Sequence, residues 1–542
     1  MRYSRIASVL QEISTAPRSS KADVAADFLA GVSKDPELLC PVVRLLIGEL
    51  WPPWENRVMG VGPETIAGAL AEVSDLNVTA MRLSGSEMGQ VAEMALEKKG
   101  QNPLVREPLD ALLTYDSLRR ISTQKGSDSE QRKIAILRGL FLAATPLEGK
   151  FIARTALRGN QVGMGTKTMI AALSIALHCD KETIRRAYGM MPDLGVIAKL
   201  TLKRDLKAVT IRPKVPARPM LFFRGDPPLP GAYLPRYPGL RIQVHKTGRT
   251  VLIFSSQLRD ITSALNGLSR QIGEMDADFV VDADLIGFYN TRNGDPGSTG
   301  ARICSLEEMQ RYINRRRLSR KSSIRPAILA YDLLALGDKS ICSMLYQDRR
   351  SRLLAIMGQP QELPFSGISP ATELVLTEKS SVEDFLDKAL KSGARSLLGR
   401  DLHGTYSPGE EAHGDIIIRA EHHLSFMLVR VKWGRGREEG LPEKYQVALK
   451  NGEQLVPVGW IGHGPSKKDQ QELSSELRPL MKGEDDETAV AALQIILKLR
   501  IRGALKRGDD FVMLDPMIEQ FRLHAAVKDA DDLSLLENIC IA

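Results

Sequence analysis

Cysteine is scarce in this chain of 542 residues: the five present, Cys40, Cys179, Cys304, Cys342 and Cys540, are scattered, and none forms a CxxC pair. That spacing excludes a disulfide framework or a zinc site as the organising device and makes a reducing cytoplasm the expected setting. Long apolar runs are also missing. The longest, such as MIAALSIAL, fall far short of a membrane span, so no membrane partner is expected. The opening residues, MRYSRIASVLQEIS, carry charges inside their apolar pattern and lack a small-residue cleavage site, which reads as no secretory signal. What is present is the composition of a folded protein: 43% hydrophobic and 26% charged residues exclude wholesale disorder. The length suits two to four domains, each with ample core. Lys and Arg number 74 against 66 Asp and Glu, a net charge of +8 that favours a polyanionic partner.

The first two hundred residues or so carry apolar positions at helical spacing, broken by Gly and Pro, and contain an internal repeat. One copy reads VVRLLIGEL…NRVMGVGPETIAGALAEV and contains Gly60 and Gly62; the other reads IARTALRGNQVGMGTKTMIAALSIAL and contains Gly163 and Gly165. In each, a helix ends near a glycine (Gly48, Gly159) and a GxG turn opens a second helix. EMGQVAE around Gly89 then echoes DLGVIAK around Gly195. Two such halves would set two equivalent helix N-termini on one face, where free N–H groups and the positive dipole end suit phosphates. The plain alternative is a tight inter-helix turn.

Residues 203–220, with Pro213, Pro216 and Pro219 among basic side chains, read as a stiff linker. Beyond it RIQVHKTGRTVLIF alternates around a Thr-Gly turn as a hairpin does, and FVVDADLIGF and PAILAYDLLAL read as strands. An Arg-rich helix is expected over 306–321. After residue 422, FMLVRVKWG and YQVALKNGEQLVPVGWIG read as strands with a hairpin turn at Asn451-Gly452. TAVAALQIILKLRIRGALKRG reads as an amphipathic basic helix presenting Lys498, Arg500, Arg502, Lys506 and Arg507 either to solvent or to DNA.

From the linker onward the text resembles the ATP-dependent DNA ligases, above all the archaeal type. The resemblance rests on ARPML, RIQVHKTGRTVLIFSSQLRDIT, YDLLALGD, RDLHGTYSPG and VKWGRGREEGLPEKYQVAL in that order, with PDLGVIAKL before them. It implies a multidomain α+β fold: an all-α DNA-binding domain over 1–205, a mixed α/β nucleotidyltransferase domain over 218–421, and a C-terminal β-barrel OB-fold over 422–542. It also implies duplex or nicked DNA as partner, a monomer, a place in DNA replication, repair and recombination, and ATP with Mg²⁺ as cofactors if the family's activity is kept. The DNA contacts would be Gly60, Gly62, Gly163, Gly165 and Lys167.

The motif text departs from the family at its chemical positions. The attacking lysine of KxDGxR is replaced, in LPRYPGLR, by Arg236, with Leu234 at the preceding glutamate and Pro238 at the aspartate; Gly239 and Arg241 remain. A guanidinium whose pKa lies above ~12 has essentially no free base at neutral pH and is a poor nucleophile, so Arg236 is read as inert. The nearest lysine downstream, Lys246, flanks the hairpin turn and should point away from the pocket. Asp284 stands for the glutamate after the strand, Arg395 and Arg400 for the acid and lysine of EGVMxK, Ile417 and Arg419 for the closing lysine pair, and Ser256 for an arginine; Tyr331 keeps an aromatic where adenine would stack. The nucleotide-binding set carried over by the resemblance is therefore Arg241, Asp284, Tyr331, Arg400 and Arg419. Pro238 and Arg395 remove two carboxylates that a hard cation would need, so no metal site and no retained cofactor are expected.

Two readings of the altered pocket stay open: a cleft made more positive, suited to a phosphate backbone, or a pocket filled by its own side chains. Three roles follow, namely a DNA-binding homologue that cannot adenylate itself, a working ligase, or a scaffold for the sliding clamp or an active ligase. For the clamp, Gln101, Leu104 and Val105 in KKGQNPLV give the glutamine without the aromatic anchors. The C-terminal segment keeps Lys528 and nearby acids where the family has RxDK. His422 and His423 read as structural or exposed, and Trp433 and Trp460 as OB-fold core.

Overall fold

Helix caps explain why the N-terminal region is helical. In the computed structural model, helix Pro36–Ile47 starts on Asp35, whose carboxylate accepts the Glu37 N–H, and stops at Gly48 with φ +75°. Helix Pro146–Ala156 opens with a capping box formed by Thr145 and Glu148. Helices Met88–Glu97 and Leu194–Leu202 begin on Glu87 and Asp193, each accepting two backbone N–H groups. Leu39, Leu46, Ile66, Leu70, Phe151, Ile152, Met169, Leu173 and Ile197 build their shared core. The structure describes all residues except 100–106, 224–225, 290–301, 316–322, 435–440, 463–473, 476, 478–480, 484–487, 492–494, 508–509, 515 and 540–542. No described helix is long and apolar enough to cross a membrane.

The sequence repeat is a structural one, and its copies are interlocked. Arg44, from helix Pro36–Ile47 in the first copy, pairs at 2.5 Å with Asp193, the N-cap of the second copy's last helix. Arg154, from helix Pro146–Ala156 in the second copy, pairs at 2.9 Å with Glu87, the N-cap of the first copy's last helix. Gly89 and Gly195 lie against this exchange. A Cβ on Gly89 would stand 2.8 Å from both Arg154 and Glu87, and one on Gly195 2.7 Å from Cys40 Sγ and 3.0 Å from Arg44. Each glycine makes room for the other copy's guanidinium.

Two compact units are present, one of Met1–Leu234, Pro238–Val375 and Arg400–Ile416, the other of Pro235–Tyr237, Leu376–Gly399 and Ile417–Ala542. In the first, the Pro-rich segment 203–220 is packed down: Ile211, Ala217 and Met220 are buried with Val280, Leu334 and Tyr406 on one face of a six-stranded sheet. The hairpin forms as its Thr-Gly turn predicts. Leu240–Thr247 pairs antiparallel with Thr250–Ser255, and Gly248 takes φ +54°. Phe279–Tyr289 and Ile324–Leu336 follow in the same sheet, with Ile242, Val244, Ile253, Phe279, Val281 and Leu333 filling its other face. Of the helix expected over 306–321, Leu306–Ile313 forms, started by a Ser305/Glu308 capping box; residues 316–321 lie outside the described residues.

The second unit is a β structure around the long strand His422–Trp433, which pairs antiparallel with Pro442–Asn451, Thr488–Ala491 and Ile496–Ile501. Asn451 pairs with Gln454 across the expected hairpin turn. Together the elements make a multidomain α+β protein: a helical N-terminal region, a mixed α/β middle region and C-terminal β sheets. Two expectations are corrected. The basic segment after residue 488 is not a helix but strands Thr488–Ala491, Ile496–Ile501 and Ala504–Arg507. Leu497, Leu499 and Ile501 alternate into the core with Phe426 and Leu428, while Lys498 is exposed between them and Arg500 and Arg502 pair with Glu421. Period two defeats period 3.6 here. Trp460 is not core either: it is 42% exposed, while Trp433 packs against the core cluster. His423 is exposed and 2.8 Å from Glu519.

Candidate functional site

The six-stranded sheet brings a buried ionic cluster to the heart of the first unit. Asp332, on strand Ile324–Leu336, receives Arg349 in bidentate fashion at 2.8 and 2.9 Å. Its Oδ2 also meets Arg400 at 2.8 Å, and Arg400 meets Asp415 at 2.8 Å. Arg400 lies over the Tyr346 ring at 4.3 Å, and Arg349 makes a further hydrogen bond to the Gly404 carbonyl. Asp332 is completely buried and Arg400 is 2% exposed. Burial alone would raise the Asp332 carboxyl, yet Arg400 and Arg349 hold it below the ordinary carboxylate range. The Asp415 carboxyl is raised by burial in spite of Arg400. Two guanidinium groups and two carboxylates thus form a closed, neutral set. The Arg400 charge is matched from within, so it adds no net positive potential to a cleft.

Arg241 is engaged in the same way. It pairs with Asp282 at 2.5 Å, donates to the Met220 carbonyl at 2.7 Å and lies over the Phe222 ring at 4.5 Å. Tyr406 donates to the same Asp282 carboxylate at 2.9 Å. Asp284 sits opposite Arg241 in the sheet register and is 1% exposed, while Tyr331 is 4% exposed, so its ring is covered. Lys246 is buried and paired with Asp278 at 3.3 Å.

Within the second unit, Arg236 ends strand Gly231–Arg236 and its carbonyl accepts the Arg395 N–H at 2.7 Å. The Arg395 guanidinium is lowered from its ordinary range, first by burial and then by the like charge of Arg419. Arg419 is exposed and Ile417 half-buried. Among the described residues no three His, Cys, Asp or Glu side chains gather as a metal-ligand set, and Asp282, Asp332 and Asp415 each already face a guanidinium.

The two GxG helix starts are built differently. Helix Pro63–Ala71 has Gly62 as N-cap, but Pro63 supplies no N–H and Glu64 occupies the first turn. Helix Thr166–Ala176 has Gly165 as N-cap and no acid in its first turn. Only the second therefore offers the open, positive N-terminus expected of both. Lys167 is exposed on its first turn and lines a cleft of 1090 Å³ together with Lys181, Arg185, Arg186, Arg218 and His403. Glu182 and Glu410 pair with Arg185 in that cleft, and Arg218 lies over Tyr188 at 5.6 Å. One wall meets the other so closely that a Cβ on Gly189 would stand 2.0 Å from the Pro408 carbonyl oxygen. Gln101, Leu104 and Val105 lie outside the described residues.

Sequence reasoning missed Arg349 and Asp415, and read Asp332 only as part of a motif. Arg349 lies 17 residues beyond Asp332 and Asp415 much farther along the chain, so no local spacing announced them; the isolated carboxylates in apolar strands were the available signal.

Comparison with known proteins is consistent across the chain. Residues 2–174 match the family described as DNA ligase N terminus, and residues 232–415 the family described as ATP dependent DNA ligase domain. A DNA ligase of Thermococcus fumicolans is 25% identical over 562 aligned residues, covering 99% of this chain and 98% of that one. A DNA ligase of Methanoculleus marisnigri is 26% identical, with 89% of this chain and 86% of that one covered. A DNA ligase of Archaeoglobus fulgidus is 24% identical over 96% and 95%.

Proposed function

This chain belongs to the ATP-dependent DNA ligase family, and from that premise we propose that it binds duplex and nicked DNA without forming an enzyme-adenylate, acting in replication or repair as a non-catalytic member. In this reading residues 1–205 hold DNA, 218–421 keep the nucleotidyltransferase framework and 422–542 form the OB-fold. The observation that carries it is Arg236 at the position of the attacking lysine. No substitute stands nearby in sequence, because the side chain of Lys246 is 1% exposed and held by Asp278. Adenylation needs an amine that can lose its proton, and a guanidinium does not supply one. The burial of Arg400 against Asp332 and Asp415 supports the same reading, since that cation is unavailable to a triphosphate. ATP and Mg²⁺ are the cofactors of an active member of the family; here their carboxylate and lysine positions read Pro238, Arg395, Arg400 and Ile417.

Incubation of the full chain with labelled ATP and Mg²⁺, followed by denaturing electrophoresis, is expected to leave the protein unlabelled. A covalent, acid-labile AMP adduct overturns the proposal and restores the ligase activity of the family.

A further inference from the structure

Two carboxamide side chains each take both backbone groups of one residue. Gln243, 2% exposed, accepts the Ala217 N–H at 3.0 Å and donates to the Ala217 carbonyl at 2.6 Å. That pins the end of segment 203–220 to the six-stranded sheet. Asn56 does the same at the surface. Its Oδ1 accepts the Asp260 N–H at 3.2 Å and its Nδ2 donates to the Asp260 carbonyl at 2.5 Å. A primary amide carries the donor and the acceptor that a neighbouring strand would offer.

Both sides of the Asn56 contact are preset. Asn56 follows the short helix Pro53–Glu55 with φ +48°, a left-handed conformation that asparagine tolerates. The next carbonyl, that of Arg57, accepts Trp51 Nε1–H at 3.0 Å and Arg158 at 2.8 Å. Asp260 lies on a segment that folds back along Thr250–Ser255, an edge strand of the sheet. The Ser255 N–H donates to the Arg259 carbonyl and the Ile261 N–H to the Ile253 carbonyl. Between these bonds the Asp260 N–H and carbonyl face outward, an open strand edge ready for an added partner.

The helical region and the sheet therefore meet at two places. Beside the covalent connection, the Gly189 carbonyl accepts the Arg218 N–H at 2.8 Å, Met190 packs against the cluster of Met220 and Tyr406, and Arg185 pairs with Glu410 at 2.9 Å. The other place is the exposed Asn56 amide, 204 residues from its partner in sequence, where water competes for each bond. This contact borders a cleft of 640 Å³ whose walls carry Arg57 and Arg158 from the helical region and Arg259 from the sheet edge.

We propose that Asn56 is a latch: its amide stands in for a strand at Asp260 and holds the helical region closed on the sheet edge over this basic cleft, with the Gly189–Met190 contact as pivot. Opening withdraws Arg259 from Arg57 and Arg158. The balance between latched and open forms is set by one side chain's two hydrogen bonds, so removing them shifts the open-to-latched ratio by about 5-fold to 30-fold.

The test is single-molecule energy transfer in the full chain, with dyes carried by unnatural side chains at Lys125 and Arg249, both exposed, for wild type, Asn56→Gly and Asn56→Asp. Glycine keeps the left-handed backbone and removes the amide. Aspartate keeps the size and places an oxygen, in place of the donor, against the Asp260 carbonyl. Both variants are expected to raise the open-to-latched ratio by about 5-fold to 30-fold, with melting temperatures unchanged. A wild-type distance distribution in both variants overturns the proposal. A lowered melting temperature with an unchanged distribution marks a structural role alone and overturns it too. Should Asn56→Gly fail to fold, Asn56→Asp decides: a second, longer distance supports the latch, and a wild-type distribution refutes it.

Discussion

At the residue scale the chemistry turns on which charges are already matched. Arg236→Lys alone is expected not to restore ligation, because Pro238, Arg395 and Ile417 remain and Arg400 stays paired inside the cluster. Sealing of a nicked, end-labelled duplex by that single variant shows the prediction wrong. His245 gives a pH dependence. It is completely buried in the sheet, 3.3 Å from the Gln243 amide and edge-on to Phe254, and burial pushes its pKa down to about 3. The unfolded chain protonates the same ring near the ordinary 6.5. Between those values the unfolded state holds more protons than the folded one. The stability from a neutral His245 is therefore complete above about pH 6.5 and is lost as pH falls, by at most about 1.4 kcal/mol per pH unit. Urea midpoints measured from pH 7 to pH 5 should fall less steeply in His245→Leu than in wild type.

At the element scale, the exchanged guanidinium groups decide how the helices start. Arg44 and Asp193 are 11% and 8% exposed in their side chains, whereas Glu87, opposite Arg154, is 27% exposed. Truncation of Arg44 leaves a carboxylate stranded away from water, a loss on the order of 3–5 kcal/mol. Truncation of Arg154 leaves one that water reaches. Arg44→Met is accordingly expected to destabilise more than Arg154→Met in urea unfolding of the full chain; equal losses refute the argument. The repeat itself was legible in the sequence because glycine at equivalent positions has a steric cause, the room each makes for a guanidinium. Strands such as Phe279–Tyr289 were legible from their apolar runs and turn residues. The basic C-terminal segment was not, because its charge run masked the alternation of Leu497, Leu499 and Ile501. Nor could spacing reveal the Arg349–Asp332–Arg400–Asp415 cluster, whose members meet only through tertiary packing, or show that the two GxG helix starts differ by a proline and a glutamate.

At the scale of the whole molecule, the apolar interior is divided. The helical region, the six-stranded sheet and the C-terminal strands each enclose their own cluster, around Phe151, Val281 and Phe426 respectively. Separate cores need not melt together. Differential scanning calorimetry is expected to give a calorimetric enthalpy larger than the van't Hoff enthalpy, and equality of the two would mean a single cooperative block.

The reciprocal arrangement of the repeat also fixes where the backbone tolerates a break. A cut in the segment between Ile121 and Ser129 severs no cap, yet it separates Glu87 from Arg154 and Arg44 from Asp193. Neither fragment then contains the guanidinium that pairs with the N-cap of its copy's Met88–Glu97 or Leu194–Leu202 helix, and each carries the one its sister requires, so the pieces are complements to be produced together rather than truncations to be produced alone.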